Sequence, residues 1–160
     1  MSPEFMQASL DGELQRAAAL IGARLPPAWP GPTARTMRRR LLQLAADPTE
    51  QPWLLRAMLT RSSPPNLVGR IGFHAPPDAR GALEIGYAVE PDARRQGFAT
   101  EAVEALLDWA TREHGIRHFV ASVAPTNVPS LAVVRKFGFV PTGSQWDDED
   151  GKELVFELKH

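Results

Sequence analysis

The chain of 160 residues contains no cysteine, which excludes disulfides, zinc–thiolate sites and a thiol nucleophile. It has a single tyrosine, Tyr87. No apolar run approaches the roughly 20 residues that span a bilayer, and no signal-peptide pattern is seen. A cytoplasmic protein without a membrane partner is therefore expected. An excess of charge of one sign is also missing. The formal net charge of -1 argues against any general affinity for nucleic acid or anionic lipid. His74, His114, His118 and His160 show no ligand spacing, so no metal site is expected and all four read as structural or surface groups. The sequence holds no internal repeat, no low-complexity run and no Gly-Lys-(Ser/Thr) phosphate loop.

Hydrophobic residues make up 43% and charged residues 23% of the chain, ordinary values for a globular protein with one core. Met1-Ser2-Pro3-Glu4-Phe5 reads as a cloning remnant outside the fold, with a single domain over residues 6–160. Leu10, Leu14, Ala17 and Ile21 mark a first helix, capped by Ser9 or Asp11 and ended by Gly22. The proline-rich stretch from Leu25 to Pro32 is loop. A second helix runs from about Thr33 to Ala46, with Met37, Leu41 and Leu44 inward and its arginines outward. Trp53–Thr60, Leu67–His74 and Leu83–Val89 read as three strands joined by short loops, an antiparallel meander.

The most informative stretch follows. Leu83, Ile85, Tyr87 and Val89 alternate onto one strand face until Pro91 stops the strand. Asp92 to Thr100 is then a basic, glycine-punctuated turn that enters a helix of residues 97–114. Phe98, Ala102, Ala105, Leu106 and Trp109 form its expected apolar stripe, opposite Glu101, Glu104, Asp108 and Arg112. A strand feeding a helix through such a turn offers backbone N–H groups and a positive dipole end, which suits a phosphate or pyrophosphate. His118–Ala124 is the next strand, and strand–helix–strand order makes it parallel to the one before. A shorter helix from about Ser130 to Phe137 ends at Gly138. Phe139–Asp147 and Lys152–Lys159 close the chain as a hairpin turning at Asp150-Gly151, with Leu154, Phe156 and Leu158 inward.

Arg94-x-x-Gly97-x-Ala99 resembles the pyrophosphate loop of the GCN5-related N-acetyltransferases, (Gln/Arg)-x-x-Gly-x-(Gly/Ala). Downstream, Asn127 to Phe139 is similar to the same family's Asn-x-x-Ser-x-x-(Val/Leu)-x-x-Lys-x-Gly-Phe motif, and both matches together are more specific than either alone. The resemblance covers about Leu67 to Leu158 and leans toward the branch containing ribosomal-protein alanine acetyltransferases. It implies an α/β fold with a mixed, partly antiparallel sheet, a central splay and helices on both faces. The family normally carries a strand before its first helices; none is legible here.

The resemblance also implies acetyl-CoA as co-substrate. The N–H groups of Gln96, Gly97, Ala99 and Thr100, around Phe98, would take the pyrophosphate. Arg94, Arg95, Arg135 and Lys136 would add outer charge, or serve as ordinary solvated surface. Backbone groups near Tyr87 and Val89 would pair with the pantetheine and polarise the thioester carbonyl. Gly86 sits where a bulge would open the splay, or simply leaves a packing gap beneath a helix. Glu84 is the candidate general base, directly or through a water, with Glu90 and Asp92 behind it. Many family members protonate the leaving thiolate with a tyrosine where this chain has Val134, so Ser130 is the substitute, unless it only caps the helix or bonds the coenzyme. Asn127 is expected to fix the loop and contact the pantetheine. Trp29, Trp146 and the acidic hairpin Asp147–Asp150 could meet an amine, or could be packing and a solvated turn.

The function expected is acetyl transfer to a primary amine, on a small molecule or a protein N-terminus, by direct attack in a ternary complex. A homodimer is plausible on family grounds. The competing readings are a catalytically silent acetyl-CoA-binding or interaction module, and a nucleotide-binding protein using the same basic turn.

Overall fold

The structure, a computed structural model, describes residues 1–148 and 151–160; the expected turn at Asp150 lies outside the described residues. Its helices are α1 (Pro3–Leu10), α2 (Leu14–Ile21), α3 (Thr33–Ala46), α4 (Phe98–His114) and α5 (Val128–Lys136). Its strands are β1 (Arg56–Leu59), β2 (Leu67–Phe73), β3 (Ala82–Val89), β4 (His118–Val123), β5 (Val140–Asp147) and β6 (Gly151–Lys159). They form a mixed, open sheet in the order β1-β2-β3-β4-β6-β5. The chain divides into two compact units, Met1–Gly72 with Tyr87–Phe98, and Phe73–Gly86 with Ala99–His160.

In the first unit the opening residues, read from sequence as a remnant, pack as the start of a helix. Ser2 caps α1 by accepting from the Phe5 amide at 3.2 Å, and Pro3 stands where its missing N–H costs nothing. Phe5 and Met6 are buried with Ala17, Trp29, Met37 and Leu44 in one apolar cluster. The single helix expected around Leu10 and Leu14 is two helices, because the chain turns at Asp11-Gly12 between them. Ser9 is not a cap. It is 1% exposed and accepts a hydrogen bond from the Trp29 indole at 3.0 Å. Trp29 therefore belongs to this core, with its ring 6.0 Å from that of Phe5, and is not a surface for an amine. The apolar face of α3 buries Met37 and Leu44 as expected, but Arg40 is also buried, its guanidinium donating to Gln43.

β1 is shorter than the reading of Trp53–Thr60, since the chain is still turning through residues 51–54. It pairs antiparallel with β2. The bond from the Glu90 amide to the Val68 carbonyl extends the antiparallel sense to the end of β3. Among the described residues no strand precedes the helices; ahead of β1 there is an isolated parallel bridge between Arg24 and Asn66.

In the second unit, β3 and β4 are parallel, as a strand–helix–strand connection requires. Their register runs from Ala82↔His118 to Glu84↔Val120. β4 continues to Val123, paired along its whole length with antiparallel β6. β5 lies outside β6 as the second arm of a hairpin, with a register shift between Pro141 and Gly143. Phe73 and Phe119 stack at 6.3 Å, and Leu83, Phe156 and Leu158 are buried. The buried stripe of α4 is Val103, Leu106, Leu107 and Ala110, rotated from the one expected, and Ala105 is exposed. The branched side chains face the core, while Trp109 sits at the edge against the His114 ring at 4.6 Å.

Removing the Phe5 ring leaves a cavity in the first unit. Phe5→Ala should lower the unfolding free energy by about 3 kcal/mol, measured by urea denaturation. A loss under about 1 kcal/mol would place residues 1–5 outside the core after all.

Candidate active site

Two neighbourhoods hold the residues with chemical potential. The first is the turn between β3 and α4. Pro91–Ala93 forms a single 3-10 turn, after which Arg95 has φ 59 and Gly97 φ 87. Such alternation of left-handed residues turns successive amides toward one side. At Gly97 the backbone conformation, not crowding, requires glycine, because a Cβ there would meet nothing within 4 Å. α4 begins at Phe98, so its first amides lack intrahelical acceptors. The turn is braced from within: Arg94 Nε donates to the Val89 carbonyl and Gln96 Nε2 to the Asp92 carbonyl, both at 3.2 Å. Part of Arg94 is thus used to hold the loop, and the Val89 oxygen already accepts a bond. Burial raises the Glu90 carboxyl above its ordinary range, against the opposing pull of Arg70 and Arg94.

The second neighbourhood centres on Glu84, at the last paired position of β3 with β4. Its side chain is 33% exposed. Ser122 on β4 donates its hydroxyl to Glu84 Oε1 at 2.6 Å. Gln145 on β5 donates to Ser122 Oγ at 3.1 Å and to Glu153 Oε2 at 3.0 Å. The donors therefore run in one direction, amide to hydroxyl to carboxylate, and each bond polarises the next. On the other oxygen, Glu84 Oε2 lies 3.6 Å from His74 Nδ1, and the His74 amide donates to the Glu84 carbonyl at 2.9 Å. The His74 interaction, then the Ser122 bond, hold the carboxyl below the ordinary range; burial and Asp147 oppose them.

Gly86 has a different neighbour from the helix or bulge expected of it. A Cβ at this position would come within 2.5 Å of His74 Nε2, so the imidazole occupies the space a side chain would fill. By sequence, His74 is expected to be structural or surface, and Ser122, Gln145 and Glu153 are not singled out. The available signal was hairpin register: a strand ending at His74 and another starting near Leu83 put residues 74 and 84 side by side.

The remaining expected residues are spread along α5 and the hairpin. Asn127 caps α5, its Oδ1 accepting from the Ser130 amide at 3.2 Å. Ser130 is half-buried on the first turn, and Arg135 and Lys136 are exposed on the last. Val134, at the position of the family's tyrosine, is 2% exposed and faces the core. Trp146 is 75% exposed on β5, paired with Lys152. His118 is committed to Glu157 at 2.9 Å, as a structural role requires. Tyr87 and Val89 are half-buried on β3. No helix among the described residues is long and apolar enough to cross a membrane.

A six-stranded mixed, open sheet with helices, in which a strand, turn and helix follow one another at β3–α4, is the fold of an acetyltransferase-type domain. The chain belongs to the acetyltransferase (GNAT) domain family, whose pattern matches residues 7–140. It is 32% identical over 75 residues to the uncharacterized N-acetyltransferase YnaD of Bacillus subtilis, a match covering 41% of this chain and 44% of YnaD. The chain thus spans under half the length of that curated relative in the matched region. Among solved structures, the fold is similar to the ribosomal-protein-S5-alanine acetyltransferase of Vibrio fischeri, with TM-score 0.68, 15% identity and coverage of 99% and 90% of the two chains. It is also similar to RimL, a ribosomal L7/L12 alpha-N-protein acetyltransferase in complex with coenzyme A, with TM-score 0.66, 19% identity and coverage of 99% and 90%.

Because the folded carboxyl of Glu84 titrates below its unfolded value of about 4.5, its contribution to stability is complete above that value. It is lost as pH falls through the lower folded value. Glu84→Gln should flatten the fall in stability with acid in this window, read from urea midpoints between pH 5 and pH 3. A slope equal to that of the wild type would mean that the carboxylate is not held this way.

Proposed function

We propose that this chain is a cytoplasmic N-acetyltransferase that moves the acetyl group of acetyl-CoA to a primary amine, by direct attack within a ternary complex. The observation that carries this reading is the turn with left-handed Arg95 and Gly97 leading directly into α4, in a chain of this family. Amides of Gln96, Gly97, Ala99 and Thr100, around Phe98, hold the pyrophosphate, with outer charge from Arg94, Arg95, Arg135 and Lys136. Backbone groups near Tyr87 and Val89 take the pantetheine, and Asn127 and Ser130 contact it from α5. Glu84 stands on the basic side of the reaction, drawing the ammonium in and assisting loss of its proton directly or through a water. Ser130 supplies the proton for the departing thiolate. The acceptor is an amine on a small molecule or a protein N-terminus; RimL and the S5 enzyme are named for protein substrates.

Buried Val134 favours one competing reading, a module that binds acetyl-CoA without turnover. The two separate in one pair of experiments. Acetyl-CoA at 100 times its dissociation constant should stabilise the protein by about 2.7 kcal/mol, read as a rise in Tm, and ATP and NAD should leave Tm unchanged. Gly97→Val, which forces a β-branched residue into a left-handed conformation, should remove that rise. Thiol release on mixing protein, acetyl-CoA and a panel of amines marks the enzyme, and binding without release marks the silent module. No rise in Tm with acetyl-CoA would overturn both.

A further inference from the structure

We propose that Gln145 is a positioning residue for the acetyl transfer: acting through Ser122, it fixes the Glu84 carboxylate in the orientation that meets the acceptor amine. This role rests on the acetyltransferase reading with Glu84 as its base, and it draws on one compact unit, Phe73–Gly86 with Ala99–His160. Register puts the four side chains involved on one face of the sheet. Gln145 pairs with Glu153 across β5 and β6, Ser122 with Val155 across β4 and β6, and Glu84 with Val120 across β3 and β4. Residues two positions apart on a strand share a face, so Glu153 lies with Val155, and Val120 with Ser122. The intervening positions Phe119, Ala121, Val123, Phe156 and Leu158 are buried on the other face. A polar track therefore crosses four strands, from the outer hairpin to the point where β3 and β4 stop pairing.

The two carboxylates at the ends of this track leave its hydrogens a single arrangement. An ionised carboxylate only accepts, so the Gln145 amide turns its nitrogen to Glu153 Oε2, at 3.0 Å. The same nitrogen lies 3.1 Å from Ser122 Oγ, and because it has only hydrogens to give, that oxygen is the acceptor. The one hydroxyl hydrogen of Ser122 then goes to Glu84 Oε1, at 2.6 Å. Without Gln145 the hydroxyl is free to rotate away; with it, the hydrogen is held on Glu84 and strengthened by the bond behind it.

Oε1 is thereby committed, and Glu84 acts on the amine through Oε2, directly or through a water. Among the described residues, the titratable groups acting on Glu84 are His74, with Nδ1 3.6 Å from Oε2, and Asp147, which opposes its ionisation. Glu153 is reached through Gln145. The Ser122 bond helps to hold the Glu84 carboxyl below its ordinary range, so loosening Ser122 lets it rise. Misplacing a reacting group by about 1 Å costs about 10²-fold in rate, which is why a side chain on the hairpin matters to a carboxylate on β3.

Kinetics on the full chain, with the Glu84 carboxyl titration followed by carbon NMR, test the proposal. Gln145 is exposed, so Gln145→Leu keeps the size of the side chain and the fold while removing the donor. It should lower kcat/KM for the amine about 10-fold or more and move the Glu84 titration upward, with the acetyl-CoA-induced rise in Tm unchanged. Ser122→Ala should do the same, and Ser122→Thr, which keeps the hydroxyl, should return both readouts toward wild type. On the Ser122→Ala background Gln145→Leu should cost nothing further, because the two act as one unit. Wild-type kcat/KM in Gln145→Leu, or an equal loss with and without the Ser122 hydroxyl, would overturn the proposal and leave the acetyltransferase reading standing. A fall in kcat/KM with the Glu84 titration unmoved also overturns it, since the loss then does not pass through the carboxylate. A wild-type protein that binds acetyl-CoA but releases no thiol with any amine overturns that reading and the proposal together.

Discussion

The hydrogen bond from Ser122 to Glu84 joins the two strands at the place where their parallel pairing ends. Up to Glu84↔Val120 the backbone ladder holds β3 to β4; at that point a side-chain bond of 2.6 Å takes over. A carboxylate at such a position is half-sheltered and has few backbone donors to itself, so its charge has to be stabilised by side chains. Ser122 and Gln145 do this from β4 and β5, and His74 from the end of β2. If the carboxylate were left bare, the strand junction would hold an uncompensated, partly buried charge. If it were neutral, it would lose both its partners' orientation and its attraction for a cation.

The same economy of backbone groups governs the turn before α4. A helix start leaves its first N–H groups without intrahelical acceptors. The loop before α4 places Arg95 and Gly97 in left-handed conformations and uses the Arg94 and Gln96 side chains to brace the carbonyls of Val89 and Asp92. The bracing holds the loop shape independently of any guest. A loop held in this way needs little further ordering to meet a ligand.

The N-terminal region acquires its packing only in the folded unit. Phe5 is 2% exposed and Met6 1%, and Ser2 caps the first helix, whatever the origin of the opening residues. Trp29 was placed beside the acceptor cleft on the strength of its loop. Its indole is satisfied internally by Ser9, the usual fate of a tryptophan that can reach a buried partner.

Local residue order was enough to determine α3, the β3–turn–α4 segment, the parallel β3–α4–β4 unit and the final hairpin. Each depends on contacts between residues near in sequence: apolar periodicity, a stopping proline or glycine, or the handedness of a crossover. Glu84 and Gly97 were legible for the same reason, since alternation gave one its face and turn chemistry gave the other its conformation. His74, Ser122 and Gln145 were not, because their roles depend on register between strands whose contacting residues lie 10 to 38 positions apart in the chain. Whether a surface-looking histidine rests on a carboxylate depends on a glycine two positions along the neighbouring strand. Pairwise packing of that kind has no period, and only the folded sheet decides it.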